Sequence, residues 1–465
     1  MTYQEAVRYL LTLGRELASP QQARAAKFDL RNITLLAERL GNPQNSYPSV
    51  HIAGTNGKGT TAAMLASILR SAGQASGGLR TGLYTSPHLE RMNERIRLDS
   101  EEIADADFAT TFTRIHARIE ELLATGPEPS GLAAHPTYFE CLTAMAFDFF
   151  ARRQVDFAVF EVGMGGRLDA TNIVRPEVAV ITQIDFDHEN FLGHSIEQIA
   201  AEKAGIIKPG GWVVSAAEHP AARAVIAHRA AELDARLVET NAAYRVEGLR
   251  AAAGGYYRAA IASAHSSRRI ELELPLAGRF QVRNALAALA AARLLAERGF
   301  PLDDLAIARG IRSVRWPGRL ERVSEHPDVY LDGTHNPSGA RELLAFWDEH
   351  LRGRPIHLVY GAMRDKAVDE ITGLLFPRAT TIILTEPRQP RAISAGVLAT
   401  MTRHLSERLE VVAEPEAALE HALALASPDD AVFATGSLYL VGDLRHWWFG
   451  RHRTQPAATG RVATR

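Results

Sequence analysis

The chain has 465 residues, too many for one ordinary domain, so two or three are expected. Hydrophobic residues make up 46% and charged residues 23%, a globular balance with ample apolar material for a core. A formal net charge of −2 argues against a general nucleic-acid or membrane-surface binder, which needs a basic excess, and leaves room for a local basic site.

The N-terminus, Met1-Thr-Tyr-Gln-Glu-Ala-Val, has neither a charged-then-apolar leader nor a transit composition, and no apolar run reaches the length of a membrane span. A soluble cytoplasmic protein is expected. Val50 to Ala53 reads as a strand ending in Gly54, followed by a helix from Thr60 to Ala72 that Gly73 closes. Cys141 is the single cysteine, which excludes an internal disulfide framework. Its neighbours Phe139, Leu142, Met145 and Phe147 mark it as a buried structural thiol. Val155 to Phe160, Val178 to Thr182 and Trp212 to Val214 read as further strands, the first two buried on both faces. Asn284 to Ala296 reads as a long alanine- and leucine-rich helix. The boundary falls at Val314-Arg-Trp-Pro-Gly318, where proline and glycine break the pattern. Beyond it Val329 to Leu331, Ile356 to Tyr360, Thr381 to Leu384 and Ala431 to Ala434 are strand candidates. This alternation predicts parallel sheets flanked by helices in two α/β domains, 1–314 and 315–450, with a disordered tail over 451–465.

Gly54-Thr-Asn-Gly-Lys-Gly-Thr60 lies between a strand and a helix, where backbone N–H groups face a bound phosphate. Lys58 adds a point charge, and Thr60 or Thr61 a hydroxyl. The spacing is not the standard Walker A pattern: Ile52 stands at the expected first glycine and Gly59 follows the lysine. Glu161 closes one buried strand, and Asp185, Asp187 and His188 follow the next. Groups at strand ends on the ligand side of an α/β sheet suit magnesium shared with phosphates. Ser195-Ile-Glu-Gln198 reads as a capping box, and Ile196, Ile199, Ala200 and Lys203 then share one helix face. Lys203 on an apolar stripe fits either a snorkelling stem or a desolvated, reactive amine.

Together the motifs resemble the folylpolyglutamate synthase/dihydrofolate synthase family of the Mur-ligase superfamily. The resemblance is carried by His51 to Thr60, Tyr84-Thr-Ser-Pro-His-Leu89, Thr137-Tyr-Phe-Glu140, Glu161 to Asn172, Asp187-His188, Leu192-Gly193 and Glu202 to Ile206. Pro317-Gly-Arg319, Asp332 to Pro337 and Thr435 to Leu438 extend it through the second domain. It implies an α/β fold with an N-terminal P-loop-type ATP-binding domain on a mainly parallel sheet, and a smaller Rossmann-like α/β domain that binds glutamate. The implied activity is ATP-dependent addition of L-glutamate to dihydropteroate or reduced folates through an acyl phosphate, in a bifunctional enzyme or a folylpolyglutamate synthase alone. By the same resemblance Gly54, Thr55, Asn56, Gly57, Lys58, Gly59, Thr60, Asn284, Arg319, Asp332 and His335 would bind ATP. Ser86, Glu161, His188 and a carbamylated Lys203 would hold two magnesium ions, and Lys58, Lys203, His188 and His335 would serve catalysis. Phe139 would meet the pterin-bearing substrate, and His335 and Ser437 the incoming glutamate. A monomer is implied, with no nucleic-acid or membrane partner. Against the family pattern, 18–26 and Ala75 to Arg80 look like loop enlargements.

Another amino-acid ligase of the superfamily is disfavoured by Gly59 and by the position of the phosphate loop near the chain start. A nucleotide-gated module without ligase activity would have lost Glu161, His188, Lys203 or His335. A dehydrogenase would need different spacing at Gly163-Met-Gly-Gly166.

Overall fold

The computed structural model describes residues 1–13, 29–72, 78–126, 131–132 and 134–453. The expected enlargement at 18–26, the first half of that at 75–80, and Gly73 lie outside the described residues. Chain contacts divide the protein into Met1–Trp316 and Pro317–Arg465.

The first unit is built on strands β1 (Ser49–Ala53), β2 (Thr81–Tyr84), β3 (Ile96–Leu98), β4 (Glu101–Glu102), β5 (Phe157–Glu161), β6 (Val178–Ile181), β7 (Trp212–Ser215) and β8 (Arg236–Glu239). They form one eight-stranded sheet in the order β4-β3-β2-β5-β1-β6-β7-β8. From β2 to β8 the pairs are parallel, while β3 and β4 add an antiparallel edge. Val50, Ile52, Val159 and Val180 are fully buried because helices cover both faces, as a parallel sheet requires. On one face Met64, Leu65, Ile68 and Leu69 of the helix Lys58–Ser71 pack with Leu289 and Leu295 of the helix Phe280–Glu297. On the other, Phe147 and Phe150 of the helix Tyr138–Arg152 meet Phe160, with ring centroids 5.2 and 5.9 Å apart. Cys141 sits in this second cluster, fully buried.

The sequence reading named only β1, β5, β6 and β7 of this sheet, and it missed a second sheet altogether. Strands β9 (Tyr244–Ala252), β10 (Tyr256–Ser263) and β11 (Arg269–Leu274) make a separate antiparallel sheet. Its alternating burial, with Ile270, Leu272 and Leu274 inward and charged residues outward, is the period-2 pattern of a one-sided sheet.

The second unit carries β12 (Glu321–Glu325), β13 (Asp328–Leu331), β14 (Ile356–Tyr360), β15 (Thr381–Leu384), β16 (Leu409–Val411) and β17 (Ala431–Thr435). Their order is β12-β13-β17-β14-β15-β16, parallel except for the β12 edge. Tyr330 stacks on Phe433 at 4.8 Å across β13 and β17.

Several expected boundaries move: the strand expected at Val155 to Phe160 is Phe157–Glu161. The helix after the phosphate loop starts at Lys58 rather than Thr60, and the helix expected from Asn284 starts at Phe280. The last helix runs Leu438–Arg453, so the expected tail cannot begin at 451. Arg451 is held there by Glu420 and by the Trp447 ring, contacts a composition-based reading does not contain. The box expected at Ser195 is half formed. Ser195 Oγ accepts from Gln198 N at 3.3 Å, but Gln198 Oε1 accepts from His194 N, one residue early.

Candidate nucleotide site

Strands β2, β5, β1 and β6 lie side by side, and Ser86, Glu161, the phosphate loop and His188 leave from their carboxyl ends, while Lys203, Asn284 and Phe139 stand on helices. With β1 between β5 and β6, the chain crosses to opposite sides, which opens a crevice above β1.

The loop after β1 is strapped down by its neighbour. Thr182 Oγ1 donates to Asn56 O at 2.8 Å, Thr55 N donates to Gln183 O at 2.8 Å, and Thr55 Oγ1 donates to Asp185 O at 2.9 Å. Gly54 must be glycine because Thr182 Oγ1 fills the space of a β-carbon. Gly57 is left-handed at φ +88°, and a β-carbon there would strike Asn284 Oδ1. Gly57 is also the N-cap of the helix Lys58–Ser71, with no side-chain cap, so the first-turn N–H groups face an incoming anion. Thr60 and Asn284 are buried beside it.

Two lysines converge on this loop. Lys58 Nζ donates to Gly54 O and Thr55 O, each at 3.0 Å, and Lys203 Nζ donates to Gly54 O at 2.8 Å. Lys203 is only 4% exposed, which decides between the two sequence readings: its amine is buried and does not reach water. Burial first, then the Lys58 charge, brings its pKa down to about 7, against the opposing pull of Asp187, Asp169 and Glu202.

Glu161, ending β5, is 4% exposed, and its Oε2 accepts from Ser86 N at 3.0 Å. A β-carbon on Gly59 would lie 3.3 Å from the same oxygen, so Glu161, Ser86 and the phosphate loop meet at one place. His188 is exposed on the loop after β6, left-handed at φ +51°, with its ring Nε2 3.8 Å from Asp187 Oδ2. Among the described residues no three His, Cys, Asp or Glu side chains gather as a metal cluster. The expected set has only two residues of those types. A buried carboxylate beside a phosphate loop nevertheless fits magnesium, which takes one or two protein carboxylates and fills its sphere with phosphate and water oxygens.

Asp169 was given no role in the sequence reading, yet it organises the glycine loop after β5. Its carboxylate accepts from Met164 N at 3.0 Å, Thr171 N at 3.0 Å and Thr171 Oγ1 at 2.5 Å. His51 Nε2 completes the chain to Thr171 Oγ1 at 2.7 Å, with burial holding the imidazole down to about 3 and therefore neutral. The available signal was an Asp two residues before a threonine, an N-cap spacing that closes the turn Ala170–Ile173. Phe139 lies within the complete Thr137–Glu140 capping box, and its ring lies over Gly163 and 6.0 Å from Tyr84.

In the second unit, Asp332 follows β13 and Ser437 follows β17, neighbouring parallel strands. Asp332 is 3% exposed and accepts from Leu320 N at 2.9 Å and Thr334 N at 3.0 Å. Gly436 N donates to Thr334 O at 3.0 Å, which brings the two loops together. His335 Nδ1 donates to Gly333 O at 2.8 Å. Arg319 Nη1 donates to Gly318 O at 3.2 Å and packs against Gly333. Arg319, Asp332, His335 and Ser437 therefore share one end of this sheet.

The family model for the Mur ligase middle domain matches residues 52–292, and that for the Mur ligase glutamate ligase domain matches 318–438. The chain is 34% identical over 456 residues to the folylpolyglutamate synthase of Lacticaseibacillus casei, covering 97% of this chain and 99% of that one. Mycobacterium tuberculosis folylpolyglutamate synthase complexed with ADP and AMPPCP superposes with a TM-score of 0.82 at 33% identity, over 95% of this chain and 99% of that one. E. coli FolC in complex with DHPP and ADP also gives 0.82, at 30% identity over 96% and 98% of the two chains. The chain belongs to the folylpolyglutamate synthase/dihydrofolate synthase branch of the Mur ligases and is an ATP-dependent ligase.

Proposed function

We propose that the chain joins L-glutamate to dihydropteroate and to reduced folates as a bifunctional, monomeric, cytoplasmic enzyme. The observation that carries this reading is the convergence of Lys58 and buried Lys203 on the Gly54 carbonyl, beside buried Glu161. No helix among the described residues is long and apolar enough to cross a membrane.

A carboxylate is a poor acyl donor, so its oxygen first attacks the γ-phosphorus of ATP, giving an acyl phosphate and ADP. The neutral amine of glutamate then attacks the carbonyl carbon, and phosphate leaves from the tetrahedral intermediate. Gly54 to Thr60 cradle the phosphates with backbone N–H groups, and Lys58 swings from its loop carbonyls to the transferring group. Asn284, Arg319, Asp332 and His335 complete the ATP site. His335 and Ser437 receive glutamate, and Phe139 offers an apolar face to the pterin-bearing substrate. Ser86, Glu161, His188 and the carbamate of Lys203 would hold two magnesium ions, which supply charge neutralisation on the phosphoryl oxygens. A lysine with a pKa near 7 suits carbamate formation, because only the neutral amine attacks carbon dioxide.

The test is incubation with ATP, magnesium and glutamate, offering dihydropteroate in one reaction and tetrahydrofolate in the other, with products read by mass spectrometry. A glutamate adduct in both supports the bifunctional reading. An adduct on tetrahydrofolate alone replaces it by a folylpolyglutamate synthase, and no adduct in either removes the folate assignment.

A further inference from the structure

Gly59, the extra glycine after the phosphate-loop lysine, has a neighbour that neither the motif nor the fold explains. Trp316 is the last residue of the first unit, in the segment through which the chain passes to the second. Its indole lies over Gly59: a β-carbon there would sit 3.1 Å from Trp316 Cζ2 and 3.3 Å from Nε1. A β-carbon at position 59 would thus press on the tryptophan ring, which would have to give by a few tenths of an ångström, as well as approach Glu161 Oε2 at 3.3 Å. The indole is also held from a second direction, by the Arg97 guanidinium 5.5 Å from the ring centroid. Arg97 belongs to β3 and is itself fixed, with Nε donating to Glu94 O at 3.1 Å and a side chain only 15% exposed. Trp316 also packs against the core cluster that holds Met64, Leu65, Ile68 and Leu69.

We propose that Trp316 is a positioning residue that ties the inter-unit segment to the phosphate loop. Gly59 is the second residue of that helix, and its N–H is one of the uncapped donors turned toward phosphate. The indole plate sets how far this backbone can lift, so phosphate entering the loop presses on Trp316, and Trp316 holds the loop in its receptive shape. The glycine at 59 is the complement of the indole. The proposal rests on the reading of Gly54 to Thr60 as the ATP phosphate site.

The chain has five tryptophans, so emission of the wild type minus Trp316→Phe isolates this indole. MgADP binding is measured by calorimetry, which does not depend on tryptophan, alongside emission and steady-state kinetics with ATP varied. MgADP is expected to change wild-type emission, and Trp316→Phe to lose most of that change while binding within about threefold, since phenylalanine keeps a π face for Arg97. Trp316→Ala should raise KM for ATP about tenfold, the scale of a partly desolvated cation–π contact, with KM for glutamate unmoved. Gly59→Ala should weaken MgADP about tenfold in the wild type and by less than about threefold in Trp316→Ala, the non-additivity expected of touching groups. An unchanged emission response in Trp316→Phe, or equal effects of Gly59→Ala in both backgrounds, overturns the proposal while leaving the phosphate-loop reading intact. No MgADP binding to the wild type removes that reading, and the proposal with it.

Discussion

Replacing Lys203 with methionine should stabilise the free protein while abolishing turnover. The amine is 4% exposed and its pKa is about 7 against an ordinary 10.5. At 1.36 kcal/mol per unit, that difference corresponds to a cost of roughly 5 kcal/mol for keeping this lysine folded at neutral pH. The sign follows from proton binding. Between pH 7 and 10.5 the unfolded chain holds a proton that the folded chain has released, so wild-type stability from this group rises with pH. The cost is full below about pH 7 and fades as pH climbs toward 10.5. Methionine removes the charge and keeps the volume, and Lys58 still donates to the Gly54 carbonyl. Part of the gain is lost with the Lys203 hydrogen bond, at about 1 kcal/mol, so a net stabilisation of up to about 4 kcal/mol is expected at pH 7. The assay is urea unfolding of both proteins from pH 6.5 to 9.5 in buffers depleted of carbon dioxide, with ligation followed in parallel. The variant's advantage should be largest at the acid end and shrink upward. A variant less stable at pH 7, with a pH-independent difference, would refute the buried-amine reasoning, and near-normal turnover would end the proposed role in metal binding.

Glu161→Gln keeps the shape and the Ser86 N–H contact but removes the buried charge, so activity should fall by about 10²–10³ and the magnesium requirement should rise; unchanged magnesium dependence counts against its metal role. Gly57→Ala places a β-carbon on Asn284 Oδ1 at φ +88°, and calorimetry should show ADP binding weakened at least tenfold, from roughly 1–2 kcal/mol of left-handed strain plus the clash. Cys141 is buried and its thiol is pushed far up by burial and then by Glu140, so iodoacetamide at pH 8 should label it only on unfolding; labelling of the native protein within minutes would contradict that burial. Asn336 accepts from Gly339 N at 2.8 Å as the N-cap of the helix Pro337–His350, and Asn336→Ala should cost about 1 kcal/mol in urea unfolding.

The sequence by itself determined the elements and the chemistry that local pattern encodes. Continuous apolar runs such as Val155 to Phe160 announce strands buried on both faces, and glycines with a lysine at a strand–helix junction announce a phosphate loop. Both signals survive without tertiary context because they arise from backbone geometry over a few residues. What it left open depended on partners distant in the chain. Periodicity put Lys203 on an apolar face but could not say whether its amine reached water, which was decided by the Gly54 carbonyl 149 residues away. The sheet Tyr244–Leu274 was missed because its alternation registers only when one face has a core to bury. The role of Gly59 stayed invisible for the same reason. A motif records that a side chain is absent, and only the folded chain places Trp316 tight against where its β-carbon would sit.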